Sequence, residues 1–320
     1  MLLLGAKRSL RKQGSNLGTL LFITALIMNG AAYAGDTPAA TPGGGIGGSV
    51  SPFIGESFQT DLATGAATMS IPITVPPGRK NMQPNIAISY SSNNSNGLCG
   101  VGWAIPINLI QRSTKDGVPK YDNTDTFMFI SSGSNAELVN IGNNEYRPNI
   151  EGAFMKYVFS EVDNSWKVYD KSGTKYLFGS TDASRLGDSN KTFGWYLNRV
   201  EDVYGNYVTY IYDKPADSQI YPAEIQYTGG NALAPDKSVI FNYSENRSDK
   251  MYSYRSGWRI ATTKLLSSIH VKLGGVLQWR YELAYATSQD TGRSLLKSVT
   301  VYDKEGKSLP PKTFTYSRLE

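Results

Sequence analysis

Three short stretches, "VYDKSG" (168–173), "VEDVYG" (200–205) and "VYDKEG" (301–306), repeat one device: an apolar strand end followed by Asp-x-x-Gly. The aspartates are Asp170, Asp202 and Asp303, and the answering glycines are Gly173, Gly205 and Gly306. A carboxylate in the first position can accept hydrogen bonds from the turn backbone. A glycine three residues on can take the left-handed conformation that closes a three-residue loop with a bulge. These are hairpin tips, and a chain that keeps returning to them builds antiparallel sheet, hairpin after hairpin.

The intervening segments agree. "TMSIPITV" (68–75) and "NIAISY" (85–90) alternate apolar and polar residues, as a strand buried on one face does. "FMFI", "MKYVF", "TKYLF", "YVTYIY", "SVIFNY" and "LQWRYELAY" follow. No run of a dozen residues has helical periodicity. The expected fold is therefore all-β: consecutive antiparallel hairpins forming a curved, shell-like or multi-sheet domain over 52–320. Pro72 cannot donate to a ladder, which predicts an edge position for its strand. Parity fixes two registers: Val168 shares a face with Tyr176 only across an odd loop. By the same argument Val271 faces Trp279, and Ile269 faces Tyr281, across a loop of Gly274, Gly275 and Val276.

The first 51 residues stand apart. Lys7, Arg8, Arg11 and Lys12 precede the apolar "LGTLLFITALIM" (17–28) and the small-x-small box "AYA" (32–34). This is the pattern of an export signal cleaved after Ala34, with an apolar core too short to span a bilayer. "GDTPAATPGGGIGGSVS" (35–51) is a Gly/Pro-rich flexible arm. Removing the four signal cations from 32 Lys and Arg leaves 28 against 27 Asp and Glu. The apparent basicity thus belongs to the signal. No basic stripe points to nucleic acid, and no membrane span is expected after cleavage.

Chemistry is scarce. With one cysteine (Cys99) and one histidine (His270), the chain can form no internal disulfide and no ordinary zinc site. Cys99 reads as a buried small hydrophobe and His270 as an exposed residue on the polar face of its strand. There is no G-x-S-x-G elbow, P-loop or dinucleotide fingerprint. Asp122 and Asp125 in "YDNTDTF" offer too few oxygens for a calcium loop. Glu201 and Asp202, the adjacent acidic pair, point to opposite strand faces. No cofactor and no catalytic or metal residue is expected. "SSNNSNGLCGVGWAIP" (91–106) reads as architecture: Gly97, Gly100 and Gly102, after Asn96, let the backbone fold tightly against Trp103.

At these residues the chain resembles the amino-terminal domain of the SpvB family, named for Salmonella plasmid virulence protein B and shared with the B component of insecticidal Tc toxin complexes. The resemblance rests on "SIPI", on "P-x-I-x-I-S-Y-S-S", on "N-G-x-x-G-V-G-W" (Asn96 to Trp103), on "I-x-R" (110–112) and on "YDNTDTFMF". It extends more weakly to "FGWYLNRVEDVYGNYVTYIY" and "LPPKTFTYS", and the hairpins are similar to the YD repeats of Rhs proteins. It implies a non-enzymatic shell or carrier domain of an exported virulence system, extracellular, passing through the periplasm or cell surface in transit. The implied partner is a downstream toxin or Rhs-repeat polypeptide, in trans or lost by truncation, because family members continue where this chain stops at Glu320. The E-x-E motif of ADP-ribosylating enzymes is absent from the sequence. A cell-surface adhesin or glycan-binding module, and a hydrolase with dispersed carboxylates, are the alternative classes.

Overall fold

A computed structural model describes residues 57–317 except 62–64, 132–133, 188–190, 217–218 and 246. The export signal (1–34) and the arm (35–51) lie outside the described residues. The fold is all-β, a succession of antiparallel hairpins in several sheets.

A four-stranded sheet comes first, in the order Ser57–Thr60, Ala67–Pro72, Ala87–Ser91, Trp103–Ala104. Ala67–Pro72 is thus an inner strand, not the edge that its proline suggests. Among the described residues the pairing with Ser57–Thr60 reaches Ser70, two residues short of Pro72. On its other side Pro72 faces Ala87.

The second sheet closes on itself and then continues. Strands Leu109–Arg112, Phe127–Ser131, Ser134–Gly142, Glu145–Pro148, Lys156–Ser160, Ser165–Tyr169 and Lys175–Phe178 pair in sequence. The ten-residue strand Thr192–Glu201 then joins both ends. Its Gly194–Tyr196 portion pairs with Leu109–Gln111, and its Leu197–Glu201 portion pairs with Lys175–Phe178. The result is a closed eight-stranded barrel, which hairpin patterning alone does not foretell. Eight strands leave an interior that side chains can just fill. Alternation sends Phe127, Phe129, Tyr157, Trp166, Val168, Tyr176, Phe178 and Trp195 into it. Phe127 meets Trp166 edge-on at 5.0 Å and Trp195 at 5.7 Å. The indole N–H of Trp195 donates to the carbonyl and side-chain oxygens of Asn164. That of Trp166 is buried without a partner.

Arg199–Glu201 also pairs, on the opposite edge, with Tyr207–Asp213. From there the sheet runs open through Tyr221–Gly229, Lys237–Ser244, Leu265–Leu273, Val276–Thr287, Ser294–Asp303 and the short Lys312–Thr313. The four-stranded sheet packs on this extension: Ile71, Ile73, Ile86 and Ile88 share one core with Val239, Ile269, Tyr281 and Val299. Burying such a branched aliphatic side chain contributes about 1.5–3 kcal/mol, so the seam holds the two sheets as one body.

Both parity registers hold: Val168 faces Tyr176, Val271 faces Trp279, and Ile269 faces Tyr281. The second loop is different from the expected one. Leu273 pairs with Val276, so the turn is the two-residue Gly274-Gly275, with φ +56° and +79°. Gln278 bulges between the Leu277 and Trp279 pairs and restores the register.

Candidate functional site

The glycine-rich stretch forms a miniature hairpin in which Asn96 pairs with Val101 and Gly97 with Gly100. Leu98 and Cys99 make its tip, and Cys99 is fully buried in the inter-sheet core. The Leu98 carbonyl accepts the N–H of Leu266 at 2.9 Å. At Gly100 (φ +86°) a Cβ would lie 2.6 Å from the Ser294 carbonyl oxygen, and at Gly102 (φ +79°) 2.4 Å from the Tyr90 ring. Trp103, 2% exposed, lies between Tyr90 and Phe314 with centroids 5.2 and 4.6 Å away. Its indole N–H donates to the Tyr316 hydroxyl, which in turn donates to the Leu296 carbonyl.

A buried ion pair locks the hairpin from outside. Arg247, with a fully buried side chain, donates to Asp249 at 2.9 Å, to the Gly97 carbonyl at 2.6 Å and to the Asn96 side-chain oxygen at 2.7 Å. Asp249 accepts from Asn96 Nδ2, from Ser294 N and from Ser294 Oγ. Burial pushes the Asp249 carboxyl up, but the hydrogen bonds from Arg247, Ser294 and Asn96 outweigh it and hold it far below the usual carboxylate range. Arg247 and Asp249 were not singled out from the sequence. They sit in "SENRSDK", which reads as solvated loop.

The three Asp-x-x-Gly tips share one geometry. In each the aspartate N–H donates to the carbonyl of the residue four positions on, and the glycine N–H returns to the aspartate carbonyl. Gly173, Gly205 and Gly306 have φ of +81°, +80° and +83°. Oδ1 of Asp170 accepts from Ser172 N and Thr174 N, that of Asp202 from Tyr204 N and Asn206 N, and that of Asp303 from Lys307 N. Asp170 and Asp202 border a cleft of about 370 Å³ floored by Tyr176 and Val200. Their Oδ2 atoms accept from Tyr176 Oη and Asn206 Nδ2, which ties both carboxylates to their own hairpins.

Burial pushes the Cys99 thiol up to about 12, which keeps it protonated and unreactive. His270 is half-buried, not exposed: burial, then Arg280, pulls its pKa down. Its Nε2 lies 3.2 Å from Ser268 Oγ, a contact that sequence reading missed because the two are alternate residues of one strand. Glu282 faces Ser268 across the ladder but pairs with Arg280 at 2.8 Å, and no described group orients the other imidazole nitrogen. A serine-histidine dyad without an orienting acid or a cleft lacks the geometry of nucleophilic catalysis. Asp125 binds Arg112 at 2.7 Å, and the exposed Asp122 accepts from Thr124. Glu201 is held by Lys175 and Arg199. Among the described residues no cluster of His, Cys, Asp and Glu could hold a metal ion.

A closed aromatic-filled barrel that continues into an open sheet, with a glycine hairpin whose tip is buried in the inter-sheet core, defines a multi-sheet all-β domain. The family model described as "Salmonella virulence plasmid 65kDa B protein" matches residues 61–232, more than half of the chain. The chain belongs to the SpvB family. It is 28% identical over 218 residues to the mono(ADP-ribosyl)transferase SpvB of Salmonella choleraesuis (strain SC-B67), covering 58% of this chain and 35% of that relative. The same protein of Salmonella typhimurium is 27% identical over the same length. The chain therefore spans about a third of the curated relatives it matches. Among solved structures, the TcdB2-TccC3 crystal structure superposes with a TM-score of 0.70 at 21% identity, over 88% of this chain and 17% of that one. The N-terminal domain of the effector SpvB from Salmonella typhimurium strain LT2 gives 0.60 at 20% identity, over 73% of this chain and 98% of that one.

Proposed function

We propose that this chain is a non-enzymatic panel, a shell or carrier element, of an exported bacterial toxin or virulence system. The observation that carries the reading is the strand Thr192–Glu201, which commits one portion to a closed barrel while handing the same hydrogen-bonded sheet on to an open extension. Such a sheet grows by adding strands, which suits a wall better than a pocket enzyme. The likeness of this fold to a segment of the TcdB2-TccC3 chain supports it. The partner is a separate toxin or Rhs-repeat polypeptide supplied in trans. The cationic start, apolar core and "AYA" box support export with cleavage after Ala34, and hence an extracellular location. No described helix is long and apolar enough to cross a membrane.

The test is to export the full chain from a bacterial host together with the product of its downstream gene. Exported protein beginning at Gly35, co-eluting with an Rhs-type product and lacking NAD-dependent modification, glycosidase and protease activity, is the expected result. Robust turnover that disappears with a single carboxylate substitution would overturn the reading. One observation favours the alternative glycan-binding role: two tyrosine rings, Tyr252 and Tyr254, stand exposed two residues apart.

A further inference from the structure

Between two strands of the open extension the chain makes an excursion, Met251–Ser253 pairing with Ile260–Thr262 as a separate two-stranded hairpin. Its inner face is anchored. Ile260 is buried, Ser256 at the turn is fully buried, and its carbonyl accepts the Tyr121 hydroxyl at 2.6 Å. Trp258 rests on the Tyr121 ring at 5.4 Å, and the Ala261 carbonyl accepts the N–H of Gln219.

The outer face is of another character. Tyr252, within the strand, and Tyr254, just past its end at the start of the turn, are 54% and 63% exposed. Extending the register in which Tyr252 faces Ala261 puts Arg259 opposite Tyr254, and the Arg259 guanidinium also lies 5.7 Å from the Tyr252 ring centre. Arg255 and Lys250 are exposed at the two ends. Among the described residues none forms an ion pair with Lys250, Arg255 or Arg259, and no acid occurs from 250 to 262. The abutting segment 115–122 carries two lysines and two aspartates and cancels itself.

We propose that this face binds an acidic polysaccharide. Residues i and i+2 of extended chain stand roughly 6.8 Å apart, a spacing that would let neighbouring sugar units contact the two exposed rings. Their apolar faces would receive sugar C–H groups, and the phenolic hydroxyls at the rim would hydrogen-bond to ring substituents. Arg259 presents a planar fork suited to a carboxylate or sulfate, with Arg255 and Lys250 as flanking charges. Anchoring of the inner face holds the platform in place before the ligand arrives, so little order is lost on binding. The site is independent of the shell role, since it uses neither the barrel nor the sheet edge.

The experiment is calorimetric titration of the full chain with hexagalacturonate and a heparin hexasaccharide, with maltohexaose as the neutral control. The expected result is binding of at least one acidic hexasaccharide, weakened by salt. Arg259→Gln and Tyr254→Ala should each lower the affinity about tenfold, the loss of one charge-assisted hydrogen bond or its equivalent. Both side chains are exposed, and unchanged thermal unfolding of each variant shows that the fold is intact. Tyr252→Ala is a second aromatic variant with the same expectation. Equal affinity for maltohexaose, or acidic-sugar affinity unchanged in all three variants, would overturn the proposal. So would binding to phosphatidylglycerol vesicles in the absence of binding to either oligosaccharide.

Discussion

A methyl group placed on Gly102 tests whether the glycine hairpin is architecture. The backbone there has φ +79°, and the new carbon would lie 2.4 Å from Tyr90 Cε2, 2.9 Å from Cδ2 and 3.3 Å from the Ser91 carbonyl oxygen. Tyr90 cannot simply swing aside, because its ring leans on Trp103, which is itself backed by Phe314. Gly306 is the matched control: its φ is +83°, but no atom lies within 4 Å of the corresponding methyl position. Forcing a left-handed conformation on a residue with a Cβ costs about 1–2 kcal/mol, and this cost falls on both Gly102→Ala and Gly306→Ala. Overpacking adds about 1–3 kcal/mol, and it falls on Gly102 alone. Gly102→Ala should therefore destabilise by about 2–5 kcal/mol against about 1–2 kcal/mol for Gly306→Ala, read as the shift in urea midpoint at constant m-value. In a Tyr90→Ala background the cost at Gly102 should fall to the conformational part alone. Equal costs at the two glycines, or a Gly102 cost untouched by Tyr90→Ala, would refute the packing argument. Unchanged stability with lost partner binding would show that the hairpin is a recognition loop.

Asp249→Asn should cost about 3–5 kcal/mol, because it leaves the Arg247 charge buried and uncompensated. Since the Asp249 carboxyl is held far below its ordinary value, its contribution is fully present above the unfolded pKa of about 4 and fades as pH falls further. Urea midpoints measured from pH 6 to pH 2 should fall steeply in the acid range for the parent chain and less steeply for Asp249→Asn; parallel curves would refute the linkage. Cys99, buried and with its thiol pushed up to about 12, should resist iodoacetamide in the native chain and react on unfolding in urea. Rapid alkylation of the native chain at neutral pH would show that the hairpin tip is not held in the core.

Local signals were readable and distant ones were not. The Asp-x-x-Gly tips depend on five or six consecutive residues, and side-chain alternation needs only a strand's length, so the hairpins and the faces of Val168, Tyr176, Val271 and Trp279 could be read directly. Parity at the Gly274-Gly275 turn constrained the pairing but not the device, and the structure uses a tight turn with a bulge at Gln278. Barrel closure depends on Leu109–Gln111 meeting Gly194–Tyr196, more than eighty residues on, and no local pattern encodes that meeting. Arg247 and Asp249 share this opacity. A charged tripeptide in a polar stretch looks solvated until Asn96, Gly97 and Ser294 arrive from elsewhere to satisfy it. The exposed tyrosine pair was hidden for a related reason, since alternation does not show which face of a hairpin is covered.

The strand Thr192–Glu201 also sets a clock. As the chain emerges from its amino terminus, the strands from Leu109–Arg112 to Lys175–Phe178 can pair as they appear, because each partner is the neighbour just made. The ring, however, stays open until residues 192–201 are delivered, and for that interval Phe127, Trp166 and their aromatic neighbours face water along an unpaired seam. Loop-closure entropy makes such late, long-range pairing slow, and exposed aromatic strands awaiting it are prone to aggregate. The hazardous stage in the life of this molecule thus precedes its native state, and a chain interrupted before Glu201 would remain in it permanently.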